Sequence, residues 1–203
     1  TLAGPPWERP ATSLLAALFF AMLVCLILGM GLPTTAAYVL AASVVAPALI
    51  KLGALPIAAH LFVFYFAIIS AITPPVCAAV YVAAAIARAD WLRTGFIAVR
   101  LGLPAFIVPY MFVFAPALLW HGSWLETVWA AISACLGVIA LSAGAMGFLR
   151  RPATWPERAA LIVAALLLIK PGIYTDLLGL AIGAAVLAVQ RLSPGPRRRT
   201  AEA

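Results

Sequence analysis

The sequence predicts an all-α polytopic membrane protein. Three observations carry that reading. Of 203 residues, 66% are hydrophobic and only 9% are charged, against about 45–50% and about 25% in soluble domains. The charged residues are also clustered, leaving 10–50, 52–87, 101–125 and 127–149 without one. Each run exceeds the roughly 20 apolar residues a transmembrane helix needs, and the runs are continuous, whereas barrel strands alternate. So apolar a chain has too little polar surface to face water on all sides.

The first segment, 11–50, is interrupted by Gly29-Met30-Gly31-Leu32-Pro33. Glycine weakens a helix and Pro33 cannot continue its ladder. The halves, Leu14–Leu28 and Thr35–Leu49, are about 15 residues and roughly 23 Å each, short of a roughly 30 Å hydrocarbon core. The expectation is a re-entrant hairpin whose tip lies in mid-membrane. The second segment, 56–88, breaks at Ile72-Thr73-Pro74-Pro75. Two prolines remove two donors and push Thr73 out of the α region. Its halves, Ile57–Ala71 and Val76–Ala87, read as one spanning helix unwound at its centre.

Unwound backbone cannot face lipid and must line protein or a polar cavity. Two interrupted helices in succession point to a transporter binding site at the midplane. Two merely Pro-kinked structural helices are the plainer reading, and the hydroxyls at both breaks favour the binding site.

An amphipathic joint, 88–95, precedes a third span at 96–120, with Trp91, Trp120 and Trp124 as interfacial anchors. The fourth span is 127–149, where Ser133, Gly137, Gly144 and Gly147 permit close helix packing. The apolar stretches 159–169 and 177–189 predict a short hairpin over 159–190. Lys170 and Asp176 pair across its turn in this reading. A disordered basic tail occupies 193–203. Cys25, Cys77 and Cys135 are irregularly spaced, without CxxC, and read as small core residues.

The net charge of +7 is placed in joints and tail, as a topology signal, so no nucleic-acid partner is expected. Arg88, Arg93 and Arg100, then Arg150, Arg151 and Arg158, put joints 88–95 and 150–158 in the cytoplasm and 121–126 outside. The hairpin 11–50 then opens outward and the tail lies inside; Lys51 is the one dissenting charge. No signal peptide is recognisable, and the chain reads as the C-terminal portion of something longer.

The run Leu28-Gly29-Met30-Gly31-Leu32-Pro33-Thr34-Thr35-Ala36-Ala37-Tyr38 resembles a motif of the large membrane (permease) subunit of tripartite ATP-independent periplasmic (TRAP) transporters. So does Ile72-Thr73-Pro74-Pro75-Val76-Cys77-Ala78-Ala79. Trp91-Leu92-Arg93-Thr94-Gly95-Phe96, followed by 101–109, is similar to the fused permeases of the TAXI branch. Residues 121–192 look like their C-terminal extension. The family's usual glycine after Thr-Pro-Pro-Val is Cys77 here.

The resemblance implies a sodium-coupled, elevator-type secondary transporter of the bacterial inner (cytoplasmic) membrane. A periplasmic substrate-binding protein delivers its organic acid. The family fold has two inverted repeats, and residues 1–120 match the second. The first repeat and the small-subunit region would be missing partners, alongside the lipid bilayer.

Sodium requires hard oxygen ligands, which unwound carbonyls and half-helix C-termini supply, while an anion suits half-helix N-termini. The expected sodium set is Gly29, Gly31, Thr34, Thr35, Ile72, Thr73 and Val76. The expected substrate set is Thr34, Thr35, Thr73, Pro74 and Pro75. No cofactor is expected beyond sodium as the coupling ion.

Ser43 and Ser70 read as hydroxyls bonded to their own helices. His60 reads as an interfacial residue or a helix–helix bond, Arg100 as a snorkelling cation, and Tyr38, Tyr65 and Tyr81 as packing or interface residues. The chain has no HExxH, Gly-x-Ser-x-Gly or paired intramembrane aspartates, so it is not expected to be an enzyme. A non-transporting scaffold or assembly module is the alternative to transport.

Overall fold

The computed structural model describes residues 11–169 and 172–192, which contain eight α-helices and no strand. The tail 193–203 and Lys170 of the expected Lys170–Asp176 pair lie outside the described residues. The helices are α1 (Ala11–Gly29), α2 (Thr34–Lys51), α3 (Pro56–Ile69), α4 (Ala78–Ala87), α5 (Trp91–Phe114), α6 (Trp124–Met146), α7 (Trp155–Ile169) and α8 (Ile173–Leu192). Helices α2, α5, α6 and most of α8 are long and apolar enough to cross a membrane. Their outward faces are oily: Phe20, Val39, Ile86 and Ile139 are all exposed. The chain is an all-α polytopic membrane protein and divides into two compact units, 1–127 and 128–203.

In the first unit, α1 and α2 form the expected hairpin, turned by Gly31 at φ +74°. Its arms are 19 and 18 residues long, not about 15, because helix continues through the polar ends Thr12-Ser13 and Lys51. At roughly 27 Å, α2 no longer supports a re-entrant reading on length alone. It closes with Gly53 at φ +97°, where the Ala54 N–H donates to the Leu49 carbonyl at 3.0 Å, and Pro56 starts α3. Glycine past one helix end and proline inside the next start is the usual punctuation.

Helix α3 is the core of this unit. Phe62, Val63 and Phe66 are fully buried among Leu18 and Cys25 of α1 and Leu49 of α2. The Tyr110 ring of α5 lies 5.3 Å from Phe62 and 6.1 Å from Phe66, and its hydroxyl donates to Met22 Sδ at 3.4 Å. His60 bonds between helices, its Nδ1 3.0 Å from Tyr38 Oη.

The second segment breaks where expected. A 3-10 turn, Ser70–Ile72, ends α3, Thr73 is extended, and α4 starts at Ala78. The expected joint 88–95 is much shorter. Arg88 adopts φ +49°, and the Asp90 carboxylate accepts the Arg93 N–H at 2.8 Å, capping α5. The third span therefore begins at Trp91, not 96, and ends at Phe114, not 120, because Pro116 starts a separate 3-10 turn. A capping box shifts the fourth span likewise: Ser123 N–H donates to Glu126 Oε2 at 3.1 Å and Glu126 N–H to Ser123 Oγ at 3.3 Å. Helix α6 therefore runs from Trp124 to Met146, not 127–149.

In the second unit, α6, α7 and α8 run antiparallel in turn. A Cβ on Gly137 would lie 3.2 Å from Leu168 Cβ, and one on Gly144 3.2 Å from the Arg158 carbonyl. One on Gly179 would lie 2.9 Å from the Ala164 carbonyl. Small residues thus bring α7 against both neighbours, as expected for membrane helices. The hairpin is present, but its arms start at Trp155 and Ile173 instead of 159 and 177. Asp176 pairs with Trp129 and Ser133 of α6. Cys25 and Cys77 are buried as expected, whereas Cys135 is exposed on α6.

The α6–α7 joint, 147–154, is tied by charge. Arg151 bridges Glu157 at 2.6 Å, Gln190 of α8 donates to Glu157 Oε2 at 3.3 Å, and the Thr154 N–H donates to the same oxygen at 2.8 Å. Arg158 caps the end of α6 through the Gly144 and Ala145 carbonyls at 3.1 and 3.2 Å. Burial works to raise the Glu157 carboxyl. The Thr154 N–H, the Gln190 amide and the Arg151 guanidinium outweigh it, so the carboxyl lies below the usual glutamate range.

A depressed carboxyl contributes stability above its unfolded value, which is lost as pH falls through the folded one. Thermal unfolding of the purified permease should therefore become easier as pH drops through and below the glutamate range. Glu157→Gln should flatten that part of the profile; an unchanged slope would show that Glu157 does not contribute.

Candidate functional site

The hairpin tip and the helix break are far apart in sequence but in contact in the fold. Gly29, at the end of α1, faces Ser70 so closely that a Cβ there would collide with Ser70 Oγ and lie 2.8 Å from Ser70 Cβ. Across the tip, a Cβ on Gly31 would lie 3.3 Å from Val76 Cγ1. Helix α5 covers another side. A Cβ on Gly95 would lie 3.0 Å from Pro74 Cγ, and one on Gly102 2.8 Å from Ile72 Cδ1. Gly95 and Gly102 are two turns apart and share a face, which lets α5 approach the break closely at those two points.

Most of the break's own polar groups are satisfied locally. Ser70 Oγ donates to the Ala67 carbonyl at 2.8 Å, and Ser43 Oγ to Leu40 at 2.8 Å, both as expected. The Thr73 N–H donates to the Ser70 carbonyl at 3.2 Å and its Oγ1 to the Ile69 carbonyl at 2.9 Å. That bond uses the Thr73 proton and leaves its oxygen lone pairs unassigned.

Tyr81, expected to be a packing or interface residue, straps the break. Its hydroxyl donates to the Pro75 carbonyl at 2.8 Å, and its ring lies 5.1 Å from Trp91. Among the described residues, the carbonyls of Gly31, Ile72 and Val76 accept no hydrogen bond, whereas the Gly29 carbonyl accepts the Leu32 N–H at 3.3 Å.

Of the residues singled out from sequence, Gly29, Gly31 and Val76 therefore lie in the contact zone of tip and break, Ile72 and Pro74 lie against α5, and Thr73 lies within the break. Pro75 is exposed there. Thr34 and Thr35 occupy the first turn of α2, half-buried and exposed respectively, and no hydrogen bond joins either to Thr73 among the described residues. No group of three His, Cys, Asp or Glu side chains converges among them; the donors at the break are backbone and hydroxyl oxygens.

The DctM component of the tripartite ATP-independent periplasmic transporter is the family whose model matches this chain, over residues 8–127. The match covers more than half of the sequence. The chain belongs to this family. No curated protein and no solved structure matches it. The tip, the break and the α5 glycines all fall within the part shared with TRAP permeases. Ser70, Tyr81, Gly95 and Gly102 escaped sequence reasoning as parts of the site. The heptad spacing of the two glycines was the one signal for them.

Two outcomes follow for the TRAP permease. Gly29→Ala should destabilise it by about 1–3 kcal/mol, the usual cost of overpacking, and adding Ser70→Gly should restore part of the loss. Thermal unfolding of the single and double variants measures this, and no recovery in the double variant would mean that the tip does not rest on Ser70. Tyr81→Phe should cost about 0.5–1.5 kcal/mol through the lost bond to Pro75, read as a lower melting temperature. A melting temperature equal to wild type would show that the strap is not formed.

Proposed function

We propose that this chain is the second-repeat part of a sodium-coupled secondary transporter. It imports an organic acid handed over by a periplasmic binding protein across the bacterial inner membrane. Membership of the TRAP permease family supplies the permease role, the membrane setting and the binding-protein partner. The single observation that carries the finer reading is the apposition of two helix interruptions, Gly29–Pro33 and Thr73–Cys77, across Ser70 and Val76.

In this reading, carbonyls of Gly31, Ile72 and Val76 and the Thr73 hydroxyl contribute sodium ligands, with Gly29, Thr34 and Thr35 beside them. The half-helices starting at Thr34 and Ala78 point positive ends at the substrate carboxylate, which Thr34, Thr35, Thr73, Pro74 and Pro75 border. Neutral oxygens hold the cation without a buried carboxylate, so ion and substrate leave together when the site opens to the other side. The hairpin α1–α2 enters re-entrantly from outside. Residues 1–120 move as the transport part, elevator-fashion, against a first repeat and a small-subunit region supplied by the rest of the permease, as in the TAXI branch. Residues 121–126 face outward and the α6–α7 joint faces the cytoplasm.

Thr73→Ala tests the ion site. It keeps both prolines and most of the packing but removes one oxygen. Losing an interaction with a charge costs about 1.5–3 kcal/mol, so half-activation of uptake should require roughly ten- to a hundredfold more sodium. Thr73→Ser should keep near-normal activation. The measurement is binding-protein-dependent uptake into vesicles holding the permease, as sodium is varied. An unchanged activation curve in well-folded Thr73→Ala would remove Thr73 from the site, and uptake indifferent to sodium in wild type would overturn sodium coupling.

A further inference from the structure

The described basic residues of the second unit, Arg150, Arg151, Arg158 and Arg191, gather at one end of its three helices. Gln190 of α8 marks the corner. Its Oε1 accepts the Arg150 N–H at 3.3 Å, and its amide donates to Glu157. Arg191, the next residue, therefore belongs to the same end. The described acids of this unit are Glu157 and Asp176, and Asp176 lies at the other end, against Trp129 and Ser133. Four arginines thus share one carboxylate.

The four are not equally engaged. Arg151 is taken by Glu157 at 2.6 Å. Arg158 turns onto the Gly144 and Ala145 carbonyls, with the Trp155 ring 4.9 Å from its guanidinium. Arg150 and Arg191 are exposed, and their guanidiniums have no acceptor among the described residues. Two cations are left uncompensated beside two others, which favours an anion at this corner.

The joint presents Arg150 in a fixed place. Gly147 turns the chain at φ +70°, and Phe148 and Pro152 form an antiparallel bridge. The Ala153 N–H closes the loop on the Gly147 carbonyl at 2.8 Å. Arg150 stands at the apex between the bridged residues. The surroundings are apolar: Met146, Phe148, Trp155 and Leu192 are all exposed. Helix α6 and most of α8 are long and apolar enough to cross a membrane, so their common end lies where hydrocarbon gives way to headgroups. Arginine clusters at that depth attract anionic headgroups, and tryptophan favours the same layer. A small free anion would use the guanidiniums but not the apolar rim.

We propose that this end of the α6–α8 bundle binds an anionic phospholipid. Arg150 and Arg191 hold its phosphate, and Phe148 and Leu192 border its acyl chains. The lipid anchors the α6–α7 joint at the membrane surface. The site lies beyond the residues matched to the permease family and is independent of the sodium site. A topology signal needs only positive charge somewhere in the joint, whereas this site needs these two guanidiniums.

The test adds phosphatidylglycerol, phosphatidylcholine or inorganic phosphate to the purified permease in detergent. Bound lipid is counted by native mass spectrometry, and stability is read by thermal unfolding. Phosphatidylglycerol should bind more tightly than phosphatidylcholine and raise the melting temperature more. Each surface cation is worth roughly fivefold in affinity for an anionic lipid, so Arg150→Gln/Arg191→Gln should weaken phosphatidylglycerol binding about 25-fold. Without lipid this variant should melt with wild type, since both side chains are exposed and unpaired among the described residues. Arg88→Gln/Arg93→Gln removes the same charge elsewhere and should leave this binding in place. The proposal fails if wild type does not prefer phosphatidylglycerol, or if Arg150→Gln/Arg191→Gln keeps the preference. An equal loss in Arg88→Gln/Arg93→Gln would overturn it by showing that overall charge holds the lipid. Inorganic phosphate as stabilising as phosphatidylglycerol would make this a small-anion site instead. Lipid-free Arg150→Gln/Arg191→Gln that melts lower or does not fold would assign both arginines to the fold and overturn the lipid site.

Discussion

An interrupted helix inside a bilayer leaves peptide groups that lipid cannot satisfy, each at a cost of several kcal/mol. The arrangement of the first unit answers that constraint at Thr73–Cys77. Two hydroxyls, Ser70 and Thr73, turn back onto their own helix, and Tyr81 reaches back from α4 to Pro75. Four glycines, at 29, 31, 95 and 102, remove the side chains that would hold other elements away from the break. The carbonyls of Gly31, Ile72 and Val76 accept no hydrogen bond among the described residues. The contacts that cover the break are thus close-packed ones that these glycines permit.

That arrangement rests on a rigid α3. Its buried Phe62 and Phe66 lock against α1, α2 and Tyr110 of α5, so the elements that flank the break share one core. The remaining helix surfaces are apolar and exposed, as lipid-facing surfaces should be. The α1–α2 hairpin reaches the break through shape, glycine to serine, more than through polar bonds.

The second unit is organised differently. Glycines at 137, 144 and 179 let α7 lie almost backbone to backbone against α6 and α8. Polar groups are confined to the two ends of this stack. At one end Glu157 binds Arg151 and Gln190; at the other Asp176 meets Trp129 and Ser133. The middle is held by packing alone, so register is fixed by these end clusters.

Much of the molecule was legible in sequence because lipid imposes strong rules on composition. Charge-free runs located the membrane segments, and Gly29–Pro33 and Thr73–Pro75 marked both interruptions, since clustered Gly and Pro break a helix whereas the single prolines Pro47, Pro104 and Pro109 are carried inside α2 and α5. Element ends were less legible, being set by side chains that cap: Asp90 and the Ser123–Glu126 box each started a helix earlier than hydropathy indicates. That the two interruptions belong together was legible, but the residue-by-residue partnerships were not. The contact of Gly29 with Ser70, the strap from Tyr81 and the meeting of Asp176 with α6 join residues far apart in the chain. They arise from how helices dock, which depends on distance and register in space and leaves no local pattern in the residues themselves.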